Sequence, residues 1–281
     1  MRCVEGRDVD HLHDELSAFA SSEWERLSGH SARDAAQLHA AFGHILRGYR
    51  YLELIHDRHV PTAKRYKDLL AQLFTKMDPA FDGGAITYDE EMEAMDAEMA
   101  DLLDVAHLDL ETFYLFAKTT LDRAAQYVEL YFGPETKLPV RSHDKLHANL
   151  SEYAVRRGIV VPDGFMECLA RVHDSVATHQ SDSATNDARV AQSPSDLMIA
   201  HTEKGPGPNG THGVTRLSLT TGQLLNVVDG YLRFILELIR QNPNRARMLR
   251  KRKTREAPAP QPAPEDSSRF SLPVEAPAPT F

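Results

Sequence analysis

Cysteine is almost missing from this chain: Cys3 and Cys168 are the only two among 281 residues. Their distance apart excludes a disulfide scaffold and a Cys-based zinc site. Cys168 lies in Phe165-Met166-Glu167-Cys168-Leu169-Ala170. That stretch reads as a helix interior with no cation or helix start to activate the thiol, so it is expected to be inert. Long apolar runs are missing too. The best late stretch, Leu224 to Ile239, is broken by Asp229, Arg233 and Glu237, and crossing a bilayer takes about 20 apolar residues. The opening MRCVEGRDVDHLHDEL has no apolar segment of the secretory kind. The expectation is therefore a cytoplasmic protein with no membrane association. No Gly-rich phosphate fingerprint, Gly-x-Ser-x-Gly elbow or kinase set occurs.

What is present suits a globular protein: 42% hydrophobic and 26% charged residues, enough for a core without disulfides or metals. The net charge of −9 is unevenly spread. Residues 241–281 carry eight Lys/Arg and four Asp/Glu, whereas residues 1–240 carry 24 and 37. An acidic body does not attract nucleic acid over its whole surface, so any phosphate contact is local or comes through the C-terminal end.

Apolar periodicity predicts an all-α helical bundle with one small inserted β-hairpin and a disordered C-terminal tail. Helices are expected over 8–28, from about Ser31 to His59, and over 61–77 after a break at Pro61. The last of these has Leu69, Leu70, Leu73 and Phe74 as its buried face. Residues 78–84 read as a loop, and Thr87-Tyr88-Asp89-Glu90 as a capping box. An acidic helix with a Met92, Met95, Met99 stripe is expected to about Leu103. The strongest pattern is 109–132, where Phe113, Phe116, Ala117, Leu121, Ala124, Val128 and Phe132 line one face and Leu115 and Tyr127 widen it. Further helices are expected over 143–156, from Pro162 to about His179, and after a Thr220 cap to Asn242-Pro243. Between them, 197–200 and 214–219 alternate like strands around a Gly/Pro/Asn loop. The provisional division is an N-terminal helical region 1–104, a second helical region 105–243, and a basic, then Pro/Ala-rich tail 244–281 expected to be dispensable for folding.

Several segments follow one another in a recognisable order: Leu115 to Arg123, Tyr131-Phe132-Gly133, Ser142-His143-Asp144-Lys145-Leu146, then His173-Asp174 with His179, a hairpin and a final helix. This order resembles bacterial proteins with HEPN-like helical domains, over roughly residues 105–240. The resemblance implies a helical bundle, a homodimer, RNA as partner, and a place in toxin–antitoxin or phage-defence systems. It also implies a metal-independent endoribonuclease motif, an Arg and a polar residue followed at a short interval by a His. Here the motif is broken. In one register His173-Asp174 replaces the Arg and its polar neighbour, with His179 as the motif histidine. In the other, Arg171 supplies the arginine, but the interval is one residue too long and apolar Val172 follows. RNA cleavage without metal needs a base for the 2′-hydroxyl and a charge for the phosphorane. His179 is the candidate base, with Asp174, His173 and Arg171 beside it. A catalytically impaired site is the alternative within the same family.

Other constellations carry less. Glu53-x-x-His56 and the pairs Asp104/His107 and Asp144/His147 have di-iron spacing, and His143/His147 share a helix face. However, the full set of glutamates is lacking, so no metal and no cofactor are expected. Lys118 and Arg123, with Arg250, Lys251, Arg252 and Lys253 of the tail, are the candidate phosphate contacts. A different class of function is a non-enzymatic helical protein whose Pro-rich basic tail recruits a protein partner.

Overall fold

The computed structural model describes residues 10–82, 85–86, 89–182, 189–192, 197–203, 214–217 and 219–250, with side chains over 12–77, 89–175 and 219–249. The chain is helical through most of these. α1 (Asp10–Ser28) and α2 (Ala32–Ala80) lead through two-residue strands β1 (Phe81–Asp82) and β2 (Ala85–Ile86) into α3 (Glu90–Phe132). α4 (His143–Arg157), α5 (Phe165–Asp182), α6 (Thr221–Arg240) and α7 (Arg247–Arg250) follow. No helix among the described residues is long and apolar enough to cross a membrane.

The expected periodic faces are buried. Leu38, Phe42, Ile45, Tyr49 and Leu52 of α2 join Phe113, Ala117, Leu121, Ala124, Val128 and Phe132 of α3 and Leu224, Val228, Tyr231, Leu232, Ile235 and Ile239 of α6 in one core. Each large apolar side chain fully buried there contributes about 1.5–3 kcal/mol relative to exposure. Local signals fix the helix starts. Thr220 and Gln223 form a reciprocal capping box at α6, and Ser142 Oγ accepts from Lys145 N at α4. At α3 it is Asp89 that caps, accepting from Met92 N at 2.8 Å; Thr87 and Tyr88 of the expected capping box lie outside the described residues.

Two expected breaks are absent. Pro61 sits inside α2, which runs on through the expected 78–84 loop to Ala80. Likewise, the two helices expected over 89–132 are one, so the division at 104/105 falls inside α3. Local propensity is overridden because α2 and α3 form a long antiparallel hairpin whose packing demands continuity. Its register is marked by Tyr51 against Phe116 (ring centroids 5.1 Å apart) and by the pairs Arg58–Asp109, Arg65–Glu98 and Lys76–Glu91. Its far end has its own core of Leu69, Leu73, Met92 and Met99. Proline in mid-helix forfeits one backbone bond; next to it, Thr62 Oγ1 donates to the Arg58 carbonyl at 3.1 Å. Two side chains expected to be buried face solvent instead, Phe74 and Leu115, because each lies on the side of its helix away from the partner.

Between α5 and α6, extended backbone at Arg189–Gln192 (β3), Leu197–Glu203 (β4) and Val214–Leu217 (β5) pairs antiparallel in the order β3-β4-β5. The tip of the expected hairpin, 204–213, lies outside the described residues, as do the side chains of this stretch.

The packed body also extends past the expected tail boundary. Ala246 and Met248 are buried in the main core. Buried Asn242 holds the turn after α4: Val160 N donates to its Oδ1 and its Nδ2 donates to Val160 O, both at 2.8 Å. Residues 251–281 lie outside the described ones. A chain ending at Asn244 is therefore expected to melt lower than one ending at Arg250. The burial of Met248 and Ala246 sets the difference on the order of 5–10 °C. Equal melting temperatures by circular dichroism would show that 245–250 contribute nothing.

α2 and α3 approach closely at Gly48, where an added Cβ would collide with Thr120 Oγ1. Thr120 is itself buried and bonded to the Phe116 carbonyl at 2.8 Å. Gly48→Ala is expected to cost about 1–3 kcal/mol through overpacking. In a Thr120→Ala background the sign should reverse, because a helical alanine is then about 1 kcal/mol better than glycine. Urea unfolding of the four chains decides, and a cost that persists in the double variant would place the constraint elsewhere.

Candidate functional site

The first turn of α4 meets α3 and α5 in a chain of carboxylates and imidazoles. Asp122 of α3 accepts twice on one oxygen, from His143 N at 3.0 Å and His143 Nδ1 at 2.8 Å. The His143 ring is buried. Its Nε2 lies 3.1 Å from Asp144 Oδ1, but not in line for a hydrogen bond, and this buried nitrogen has no bonded partner. The same Asp144 oxygen is 2.9 Å from His173 Nδ1 of α5. A carboxylate only accepts, so that imidazole nitrogen carries the proton. The His147 ring, one turn along α4 from Asp144, lies against the His173 ring with centroids 5.1 Å apart.

Burial and charge oppose each other at Asp122. Burial pushes its carboxyl up, but the His143 side-chain and backbone bonds, with the charges of His143 and Lys118, hold it below its ordinary value of 3.8. Beneath the chain, Tyr231 is fully buried, and burial followed by the nearby Asp122 charge pushes its phenol well above the ordinary range. The floor is thus a neutral phenol, and the rim is part-exposed imidazole. Asp144 sits in the first turn of α4, where the helix dipole favours a negative charge.

The sequence-derived residues divide sharply over this geometry. His173 belongs to the chain. Asp174 and Arg171 are exposed on the same helix. Arg171 lies close enough to Cys168 to draw its thiol downward, although burial dominates and pushes that thiol up to about 11. This agrees with an unreactive cysteine. His179 is within α5, but its side chain lies outside the described ones, so neither register of the Arg…His motif is tested. Lys118 acts on Asp122 through its charge, and Arg123 opens instead onto a neighbouring cleft. The Arg250 side chain and residues Lys251, Arg252 and Lys253 lie outside the described ones.

Sequence reasoning does not join Asp122, His143, Asp144 and His147 into a site. Their signal is the same-face spacing of His143 and His147, which by itself points to metal ligation. Among the described residues no group of three or more His, Cys, Asp or Glu side chains is arranged to hold a metal ion. The Glu53/His56 pair is taken up locally: Arg50 bonds Glu53 at 2.9 Å, and His56 Nδ1 meets Thr221 Oγ1 at 2.8 Å.

A carboxylate held below its ordinary pKa stabilises the folded state fully above that value, and the contribution is lost as the pH falls through the lower folded value. The stability gap between wild type and Asp122→Asn should therefore be widest near neutrality and close as the pH drops below 3.8. Urea titrations along a pH series measure it, and a gap constant into strong acid would remove Asp122 from the account.

Comparison with family models, with curated proteins and with solved structures finds no match for this chain.

Proposed function

We propose that this is a HEPN-like helical protein acting on RNA, a metal-independent ribonuclease of bacterial or phage conflict whose acid–base pair is His173 and His147. The observation that carries the reading is the Asp144–His173 contact at 2.9 Å, with the His147 ring alongside. A carboxylate that accepts a hydrogen bond from Nδ1–H fixes the tautomer, so that Nε2 of a part-exposed imidazole keeps its lone pair.

The corresponding chemistry is transphosphorylation. Nε2 of one imidazole removes the 2′-hydroxyl proton, and the 2′-oxygen attacks the adjacent phosphorus. The bond from phosphorus to the 5′-oxygen breaks, and that oxygen takes a proton from the second imidazole. The products are a 2′,3′-cyclic phosphate and a 5′-hydroxyl. No metal enters this scheme. The same reading includes an antiparallel hairpin over 197–219 beside α3. It is supported by the backbone pairing of Ala200 with Leu217 and by Tyr114 Oη donating to the Leu219 carbonyl at 3.1 Å.

Cleavage of labelled single-stranded RNA in chelator tests the proposal. Wild type should cleave with a bell-shaped pH profile, and His173→Ala should lower the rate by about 100-fold or more. Asp144→Asn should also lower it, with RNA binding retained. His173→Arg separates this reading from the family register. An arginine cannot accept the proton, so the variant should be inactive here, whereas it gains activity if position 173 is a lost motif arginine. Absence of cleavage by wild type and by His173→Arg alike would hand the protein to the partner-recruiting reading.

A further inference from the structure

At the α3–α4 junction lies an open cleft of about 380 Å³, walled by Arg123, Arg141 and Arg247 with His44 at its edge. The body around it is acidic, and several arginines elsewhere on it are held by carboxylates: Arg50 by Glu53, Arg58 by Asp109, Arg65 by Glu98, and both Arg233 and Arg240 by Glu15. Among the described residues, none of the three cleft arginines makes an ion pair, and Glu129, the one acid in the lining, binds none of them. Three guanidinium groups drawn from α3, the α3–α4 loop and α7 repel one another. The fold holds them together nonetheless. Gln126 Nε2 donates to the Arg141 carbonyl at 3.0 Å, fastening that loop to α3, and buried Ala246 and Met248 seat α7.

We infer that this cleft is a phosphate-binding site for the backbone of single-stranded RNA. Guanidinium forks match phosphate oxygens in paired contacts, and the apolar part of the lining, Tyr127, Leu130 and Pro134, offers a surface for a ribose or base. The volume is that of a small-ligand pocket, so it takes one nucleotide of a strand and not a duplex. The cleft also shares its two backbone segments with the acid–base chain. Arg123 follows Asp122, and Arg141 stands two residues before His143. Arg247 in turn opens the basic run Arg250 to Lys253. The choice of RNA rests on the ribonuclease reading above.

Fluorescence anisotropy of the full chain with a short labelled 2′-O-methyl oligoribonucleotide, which cannot be cleaved, tests the inference. Arg123 and Arg141 are exposed, so Arg123→Gln/Arg141→Gln leaves the fold intact; Arg247→Gln is the third site. The double variant should bind about tenfold or more weakly. The slope of log K against log salt should fall by about 1.4, because each single-strand phosphate no longer neutralised removes about 0.7. Two outcomes overturn the cleft alone. In one, the double variant binds with unchanged affinity and slope while a chain ending at Arg250 loses binding, which puts RNA on the tail. In the other, a polyglutamate peptide binds more tightly than RNA through the same arginines, which makes the partner an acidic protein. Wild type that binds no RNA at any salt overturns both the cleft and the ribonuclease reading.

Discussion

The carboxylate of Asp122 is the constraint on which the arrangement turns. It sits well inside α3, the helix most enclosed by others, where an ionised oxygen left without donors would be costly. Its two donors come from a single residue, the backbone and ring of His143. That double contact fixes both the position and the rotation of the start of α4. Asp144 and His147 are then aimed at α5, where both meet His173. Arg141 is equally committed, since the chain that delivers His143 to Asp122 has just passed the cleft. One part-buried acid thus sets the geometry of the segment that links the two surface features.

The α2–α3 hairpin has a different logic. Two of its ion pairs, Arg65–Glu98 and Lys76–Glu91, join exposed or part-exposed side chains, and pairs of that kind contribute about 0–1 kcal/mol each; they mark the register but do not hold it. The third ties Arg58 to the buried carboxylate of Asp109. What holds the register is the buried seam, with Gly48 leaving room for Thr120 and a second methionine–leucine core at the far end. Because that second core is separate from the main one, the hairpin projects from the bundle on its own support. The imidazole chain and the cationic cleft lie instead around the C-terminal half of α3, which the main core encloses.

Much of the fold is legible in the sequence because helical periodicity reports burial directly. It puts Leu38 to Ile55, Phe113 to Phe132 and Leu224 to Ile239 on core faces, and their side chains are there. Punctuation is less legible. Pro61 and the polar stretch around Asp104 look like helix ends locally, but the continuity of α2 and α3 is decided by each other, many residues away. The start of the tail is hidden for a related reason: Ala246 and Met248 are too few to show a period, and only the pocket that receives them reveals their burial. For the site, the sequence shows His143 and His147 on one face but not their partners. Asp122 is 21 residues from His143 and Asp144 is 29 from His173, and no spacing rule spans such loops.

The two ends of the imidazole chain differ in what a proton can do there. His143 is enclosed, bonded on one nitrogen and faced by a carboxylate oxygen on the other. A proton arriving or leaving would have to cross packed protein. His173 is fixed at its inner nitrogen by that same carboxylate oxygen, but its side chain is 38% exposed, so solvent reaches it. Asp144 therefore presents a fixed charge inward and a tautomer-setting acceptor outward. The buried half of the chain supplies rigidity and the open half supplies exchange. That division leaves an imidazole nitrogen open to exchange at His173 while the carboxylate that orients the ring stays where Asp122 and His143 have put it.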